Sequence, residues 1–516
     1  MPSSPRQSSV AERAELFFTL VRPTGCGSEE VGAALRAELS RVGYELQPAI
    51  KVSRLLHSCE KYAHLGRFEG REDERIQQHM DAGDSLRKDF QDGGALAYLV
   101  AESVARNRPN LPASIAWIID SLKHKREVDV LRQLYGQFLI VVSIYADEDE
   151  RTQALSRKIA KSWGTQEGVD GKARELIRRD QEGADAEPFG QDVRGTFPLA
   201  DYFVSATKDL RKQVARMIET LFGHPTRSPF RDEYAMSMAR STALRSADLS
   251  RQVGAVIVDD DGEVLVAGCN EVPKPGGGVY WEGDPHDKRD FTQGFDPNAT
   301  TSRDMLIELF RRIKDHGWLS ESASKAGPEK LAEKARGERV LEKSRVTSLV
   351  EFGRIVHAEM NALLRAACSG VRIKGLRMIC TTFPCHVCAR HLLGAGLSEV
   401  VYIEPYPKSL ATSQYPDAIT VGERDAPGLL RFRPFIGWSP SRYTRIFHFG
   451  GRKDDAGYLQ VWDPYQAAPK VDGAPNVHMP IEGDLIKRTN KLLGEMGILR
   501  VKAKQSQKSV TKKRKV

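Results

Sequence analysis

Two short runs carry residue types that could do chemistry: His357-Ala358-Glu359 and Pro384-Cys385-His386-Val387-Cys388. Imidazole nitrogen and thiolate sulfur are ligands that zinc accepts, and a catalytic zinc keeps one position open for water. One His and two Cys supply three protein ligands and leave the fourth position free. A closed structural site would want a fourth protein ligand. His386 and His391 are near but lack the usual spacing and read as helix-face residues. Pro384 suits the first turn of a helix. Cys385 and Cys388, three apart, share one helix face. Both halves open helices, where the positive dipole end favours a thiolate. Glu359 is two residues from His357 and points elsewhere, so it can reach the space above the metal and move protons there. The expected chemistry is metal-assisted hydrolysis. His357, Cys385 and Cys388 hold one Zn2+ per chain, and Glu359 is the catalytic proton carrier.

The elements that must position these residues follow from the apolar pattern. Around the motifs the spacing predicts a helix over 232–247, two strands at 253–258 and 263–269 about the turn Asp259-Asp-Asp-Gly262, and a long polar stretch over 271–350 with one helix at 302–316. A helix (357–368), strand (376–382), helix (386–394) and strand (399–404) complete a parallel unit. Nearer the start, Glu15–Val21 reads as a buried strand. A glycine-rich turn follows (Pro23-Thr-Gly-Cys-Gly-Ser28), then a helix through Val31, Leu35 and Leu39. Further strands at Ile115–Asp120 and Phe138–Ile144 alternate with helices, which implies a doubly wound α/β domain. The breaker-rich Phe222–Pro229 reads as a linker. The expected organisation is disorder over 1–11, an α/β domain over 12–222, a second domain over 223–430 with an insertion at 271–350, a C-terminal extension over 431–500 with strands near 444–449 and 458–462, and a basic disordered tail over 501–516.

Composition narrows the class. The chain has 516 residues, 40% hydrophobic and 28% charged, as in an ordinary soluble protein. It has no apolar run long enough for a membrane span and no secretory signal at its start, so the expected location is the cytoplasm with no membrane partner. Seven cysteines are too few, and odd in number, for a disulfide framework. The formal charge is +8, but Lys502, Lys504, Lys508, Lys512, Lys513, Arg514 and Lys515 supply most of it. The body is close to neutral, which is weak support for a large nucleic-acid footprint. The closing Lys512-Lys-Arg-Lys-Val516 resembles a nuclear-import signal and carries no weight here.

The two motifs together match the H-x-E…P-C-x-x-C pattern of zinc deaminases. With Arg251-Gln-Val-Gly-Ala-Val-Ile-Val258 and Ala267-Gly-Cys-Asn270, the region from about Glu233 to Ser409 resembles the deoxycytidylate (dCMP) deaminase family. The resemblance implies a cytidine-deaminase-like α/β/α domain with a mixed sheet. It also implies that Asn270 bonds the sugar and Val253 packs beside the base. The backbone of Ala358 and the Thr382-Phe383-Pro384 turn would edge the pocket, with Tyr406 near the base. The sequence departs from the family at Gly268-Cys-Asn270, where Gly-Tyr-Asn is usual, and in the long insertion. There Tyr280–Asp284 and Asp287–Phe291 read equally as part of a substrate lid or as a surface insertion.

The first domain resembles P-loop nucleoside-phosphate kinases, with Gly25, Gly27 and Ser28 as nucleotide-binding residues. Ser28-Glu29 stands where a working loop has Lys-Ser/Thr, so nucleotide sensing or scaffolding is expected in place of phosphoryl transfer. Asp120 is either a Walker-B-like acid or an ordinary strand-end Asp. The combination is similar to the bacterial antiphage cytidine deaminases of the AvcD type. That likeness implies deamination of free deoxycytidine nucleotides, dCMP or dCTP, in antiphage defence, and a homo-oligomer. It further implies an inhibitory small RNA and a nucleotide effector at the first domain. The alternative is a cytosine or adenine deaminase acting on single-stranded nucleic acid.

Overall fold

The computed structural model describes residues 13–27, 29–109, 114–337, 341, 352–423, 426–473 and 477–498. The stretch expected to be disordered at the start, the basic tail and Ser28 lie outside these residues. The chain divides into two units, 1–233 with 436–516, and 234–435.

The first unit is built on strands β1 (Leu16–Val21), β2 (Glu45–Leu46), β3 (Ile50–Lys51), β4 (Ile115–Leu122), β5 (Leu139–Tyr145) and β6 (Tyr202–Ser205), paired parallel in the order β6-β5-β1-β4-β2, with β3 also on β4. Sequence and position agree. β1 (LFFTLV) and β4 (IAWIIDSL) are buried along their whole length, as parallel strands covered on both faces must be. On one face Phe18, Ile118, Ile140 and Val142 pack with Val31, Leu35 and Leu39 of the helix Glu29–Arg41. On the other, Phe17 stacks on Tyr135 of the helix Lys125–Tyr135 with ring centroids 3.7 Å apart. Each such side chain contributes roughly 1.5–3 kcal/mol by leaving water. The layer structure is therefore the α/β arrangement expected from the pattern.

The second unit holds β7 (Gly254–Val258), β8 (Val264–Cys269), β9 (Arg377–Thr382), β10 (Glu399–Glu404), β11 (Ile419–Val421) and β12 (Leu430–Pro434), in the order β11-β12-β10-β9-β7-β8. The β7–β8 and β7–β9 pairs are antiparallel and the others parallel, so the sheet is mixed. The hairpin between β7 and β8 closes at Gly262, whose φ of 89° suits glycine. The insertion folds as the helices Pro297–Asp315, Glu321–Ala326 and Pro328–Gly337, with Leu306, Ile307 and Ala332 forming a small core.

After β12 the chain returns to the first unit, where β13 (Gly437–Trp438) pairs antiparallel with β6. Buried Glu233 ties this return down. It accepts from the Trp438 backbone N–H (2.8 Å) and from Arg216 (2.6 and 2.9 Å). The strand expected near 444–449 is instead part of the helix Pro440–Phe447. Pro440 occupies the first helical position, and Tyr443, Ile446 and Phe447 follow helical spacing, a signal that outweighs the run's β-forming composition. The strand expected near 458–462 is only an isolated bridge, Lys453 to Leu459. Among the described residues no helix is long and apolar enough to cross a membrane.

One packing contact bears directly on the motif residues. The helix Ala358–Cys368 lies against β8 so closely that a Cβ at Gly268 would stand 2.5 Å from both the Ala358 carbonyl oxygen and the Ala362 nitrogen. Neither neighbour can move without moving the helix. Gly268→Ala is therefore expected to cost about 1–3 kcal/mol by overpacking and to lower the zinc bound per chain. Denaturant unfolding with parallel metal analysis checks both. Unchanged values would mean that the helix has slack at this point.

Candidate active site

His357 is the N-cap of the helix Ala358–Cys368, with extended backbone (φ −64°, ψ 154°). The preceding residue, Val356, is bridged to Glu271 by backbone hydrogen bonds of 3.1 and 3.2 Å, which fixes the approach to the helix. Asn361, one turn on, donates from its side chain to the Cys269 carbonyl at the end of β8 (2.7 Å). The second half-motif begins where β9 ends. The Phe383 backbone N–H donates to Glu404 O (2.8 Å), and the Ser409 hydroxyl donates to Pro384 O (2.8 Å). Cys385 is the N-cap of the helix His386–Gly394, and its Sγ accepts the Cys388 backbone N–H at 3.4 Å.

These two helix starts bring three ligand atoms together. His357 Nδ1 is 3.3 Å from Cys385 Sγ and 3.4 Å from Cys388 Sγ, and among the described residues no other cluster of three metal-ligating groups forms. Zinc bonds of ~2.0–2.1 Å to nitrogen and ~2.3 Å to sulfur at a tetrahedral angle require an N···S separation of roughly 3.5 Å. The set thus fits a zinc ion. The hydrogen bond with the Cys388 thiol, and then the His357 ring, pull the Cys385 thiol down to about 4 against the cost of burial. That keeps it in the thiolate form that a metal takes. Glu359, 4% exposed, sits in the same first turn as His357, and burial raises its carboxyl above the usual carboxylate range.

A cavity of about 300 Å³ opens beside this cluster. His357, Glu359 and Cys385 line it, as do all six residues singled out from the sequence as substrate contacts: Val253, Asn270, Ala358, Thr382, Phe383 and Tyr406. The Phe383 ring is held edge-on by Tyr402 and Phe432, each with centroids 4.9 Å away. Asn270 is already engaged. Its Oδ1 accepts from the Val253 N–H (2.7 Å), and its Nδ2 donates to Asp248 (2.7 Å) and to Arg251 O (2.8 Å). Both of its donors are used, which leaves one acceptor lone pair.

Sequence reasoning missed part of the wall. Arg251, Lys408, Asp248 and, from the insertion, Asp290, Asp296 and Asn298 also line the cavity. The acids have partners: Asp248 accepts from Asn270, Asp290 from Arg354 (3.0 Å), and Asp296 from the Asn298 N–H. Arg251, over the Tyr406 ring at 5.5 Å, and Lys408 have no carboxylate partner among the described residues. Their nearness in sequence to Val253 and Tyr406 was the available signal. Of the expected lid segments, Asp290 reaches the cavity, whereas Trp281 lies under Arg245, 3.2 Å from guanidinium carbon to ring centroid.

The glycine-rich loop of the first unit lies elsewhere. Gly25 has φ of 89°, and a Cβ there would meet the Arg151 carbonyl oxygen at 2.5 Å; Gly27 has open space. The Thr24 N–H in this loop donates to Asp180 (2.6 Å), and Arg22 pairs with Asp120 (2.8 Å).

Comparison with known proteins bears on the second unit. The cytidine and deoxycytidylate deaminase zinc-binding region matches residues 230–404. A probable deoxycytidylate deaminase of Drosophila melanogaster is 26% identical over 172 residues, covering 33% of this chain and 58% of that protein. The deoxycytidylate deaminase of Enterobacteria phage T2 is 43% identical over 54 residues, 10% of this chain and 29% of that protein. The chain thus spans less than two thirds of either relative. The dCMP deaminase from the cyanophage S-TIM5, in complex with dCMP and dUMP, is 18% identical with a TM-score of 0.23, over 40% of this chain and 98% of that one. Residues 230–404 therefore carry a cytidine and deoxycytidylate deaminase zinc-binding region.

Proposed function

We propose that this protein deaminates free deoxycytidine nucleotides, dCMP or dCTP, to the deoxyuridine nucleotides with release of ammonia. The observation that carries the reading is the grouping of His357, Cys385 and Cys388 beside buried Glu359 on the wall of one small cavity. Zinc, when held by the three ligands, supplies the Lewis acidity that makes water a nucleophile near neutral pH. Glu359 takes a proton from the attacking water and returns protons to ring N3 and to the departing amine. One water is consumed and one ammonia leaves. Phe383 and Val253 offer apolar walls to the base, while Ala358 and Thr382 offer backbone groups to its edge. The remaining acceptor of Asn270 suits a sugar hydroxyl.

Arg251 and Lys408, which have no carboxylate partner among the described residues, support a phosphorylated substrate, and the cavity's size supports a free nucleotide over a nucleic-acid strand. The two-unit build, like that of the antiphage cytidine deaminases it resembles, supports depletion of the deoxycytidine pool during infection. A homo-oligomer, restraint by a small RNA and a nucleotide effector belong to the same proposal.

Ammonia release from dCMP, dCTP, CMP, CTP and cytosine-containing single-stranded DNA, measured in parallel, tests it. Turnover of the deoxynucleotides alone is the expected result, and turnover of the DNA alone would overturn the assignment. Glu359→Ala should keep its zinc and lose about 10²–10⁴ in rate, because only the proton carrier is removed; a wild-type rate would refute its role. Cys385→Ala should come through purification without its equivalent of zinc, and a full complement would mean that the ligands are others. Arg251→Ala should raise KM for the nucleotide roughly 10- to 100-fold, as expected for one lost charged hydrogen bond. It should leave phosphate-free deoxycytidine turnover unchanged; an equal loss on both would remove the phosphate assignment.

A further inference from the structure

Two imidazole rings of the first unit meet away from both half-motifs. His57 lies in the short turn Leu56–Ser58, and His79 in the helix Glu72–Phe90. Their Nε2 atoms are 3.0 Å apart, and the rings meet edge-on with centroids 5.3 Å apart. Both side chains are half-buried.

Both rings are in the form that binds a metal. Burial, and then the His79 ring, pull His57 down to about 4, and burial lowers His79, so both stay neutral near pH 7. The far nitrogen of His79 is committed. Its Nδ1 lies 2.7 Å from the Arg75 carbonyl oxygen, one turn earlier, and carries the proton there, because a carbonyl can only accept. His79 Nε2 therefore presents a bare lone pair to His57. An imidazole whose far N–H is held by a backbone carbonyl is the usual state of a metal-bound histidine.

The approach of the two rings is fixed by other contacts. Buried Tyr62, in the turn Glu60–Arg67 that follows His57, donates to Ser85 Oγ of the helix Glu72–Phe90 (3.0 Å), and Lys61 pairs with Asp89 of that helix (2.5 Å). At Gly66 a Cβ would stand 3.3 Å from His57 Nδ1, so the turn closes over that ring.

The spacing has a geometric meaning. Metal–nitrogen bonds of ~2.0–2.1 Å put two cis ligands of an octahedral or tetragonal ion roughly 2.9 Å apart, and two tetrahedral ligands roughly 3.3 Å apart. The observed 3.0 Å is closer to the first. His79 also lines a cavity of about 240 Å³, so water has room to complete the shell. The surrounding charges are divided. Glu72 favours a cation at His79, and Arg75, which opposes one, is itself paired with Glu72 (2.7 Å). Arg54 and His64 also oppose it, but both are exposed, where water weakens their field.

We propose that His57 and His79 are a second metal site, distinct from the deaminase ligands, that takes one divalent transition-metal ion of the Ni2+ or Cu2+ class with water in the remaining positions. The ion takes the place of the proton between the two rings, and that proton moves to His57 Nδ1. Because the two ligands come from separate elements, the ion clamps the segment 56–67 onto the helix Glu72–Phe90. This inference does not depend on the deamination reading.

Calorimetric titration of the zinc-loaded full chain with Ni2+ tests it. One equivalent should bind while elemental analysis finds the zinc content unchanged. His57→Ala and His79→Ala should each weaken nickel binding at least tenfold, since loss of even an outer-shell partner costs about 10- to 100-fold in metal affinity. Both side chains are half-buried, and circular dichroism verifies that each variant is folded. A copper measurement requires no variant. Electron paramagnetic resonance of the wild-type chain with one equivalent of Cu2+ should show coupling to two imidazole nitrogens. Nickel bound as tightly by the double variant overturns the proposal. So does nickel taken up only at the expense of zinc, the absence of a nickel equivalent, or a copper spectrum without the pair of nitrogens.

Discussion

At Gly268 the backbone of β8 meets the helix Ala358–Cys368 with no space for a side chain, and the Asn361 amide pins the same turn to Cys269 O. The metal-ligand set depends on this approach. His357 is the N-cap of that helix, and Cys385 and Cys388 stand at the start of another, so two independent helix origins must converge to a few tenths of an ångström. Side-chain packing alone tolerates shifts of that order through rotamer change. A contact between two backbones does not, because neither party can rotate away. The sheet fixes one helix through Gly268 and Asn361. It fixes the other through the Phe383 and Pro384 backbone, held by Glu404 O and Ser409.

Both ligand groups occupy N-cap positions, and this has an electrostatic consequence. An N-cap leaves backbone N–H groups unsatisfied and places the positive end of the helix dipole there. Cys385 Sγ answers the Cys388 N–H directly. The thiolate that a metal requires is therefore also the acceptor that the helix end requires, so folding and ligand ionisation favour the same state. Asn270 plays a comparable double part on the wall of the same cavity. Its amide closes the 248–253 loop, donating to Asp248 and Arg251 O and accepting from the Val253 N–H, and so holds Val253 and Arg251 at the cavity edge.

Much of this was legible in the sequence because the informative residues are local. A Pro before Cys-x-x-Cys announces a helix start, and His-x-Glu opening an apolar-spaced run announces another. Continuous apolar runs such as Leu16–Val21 announce buried parallel strands. The rest depends on contacts across long separations. Arg251 and Lys408 are ordinary surface residues by type, and only the fold gives them a cavity and withholds their carboxylates. Asp290 belongs to an insertion whose polar composition does not say which segment turns inward. The C-terminal residues 444–449 read as a strand from their composition, yet Pro440 starts a helix there. A single N-terminal turn signal decided between two periods that six residues cannot separate.

The two units treat negative charge in opposite ways. In the second, Asp248, Asp290 and Asp296 on the cavity wall each accept a hydrogen bond, and Arg251 and Lys408 have no carboxylate partner among the described residues, so these two cations can meet an anion. In the first, the glycine-rich turn is answered internally, since Asp180 takes both the Thr24 N–H and the Lys123 ammonium. An internal carboxylate is always present at high effective concentration. A free phosphate competing for the same groups must therefore also break a buried ion pair, and breaking such a pair is strongly unfavourable. Closing the loop in this way removes the geometry that phosphoryl transfer needs. Gly25 of the turn is then explained by packing: it admits the Arg151 carbonyl, which any larger residue would exclude.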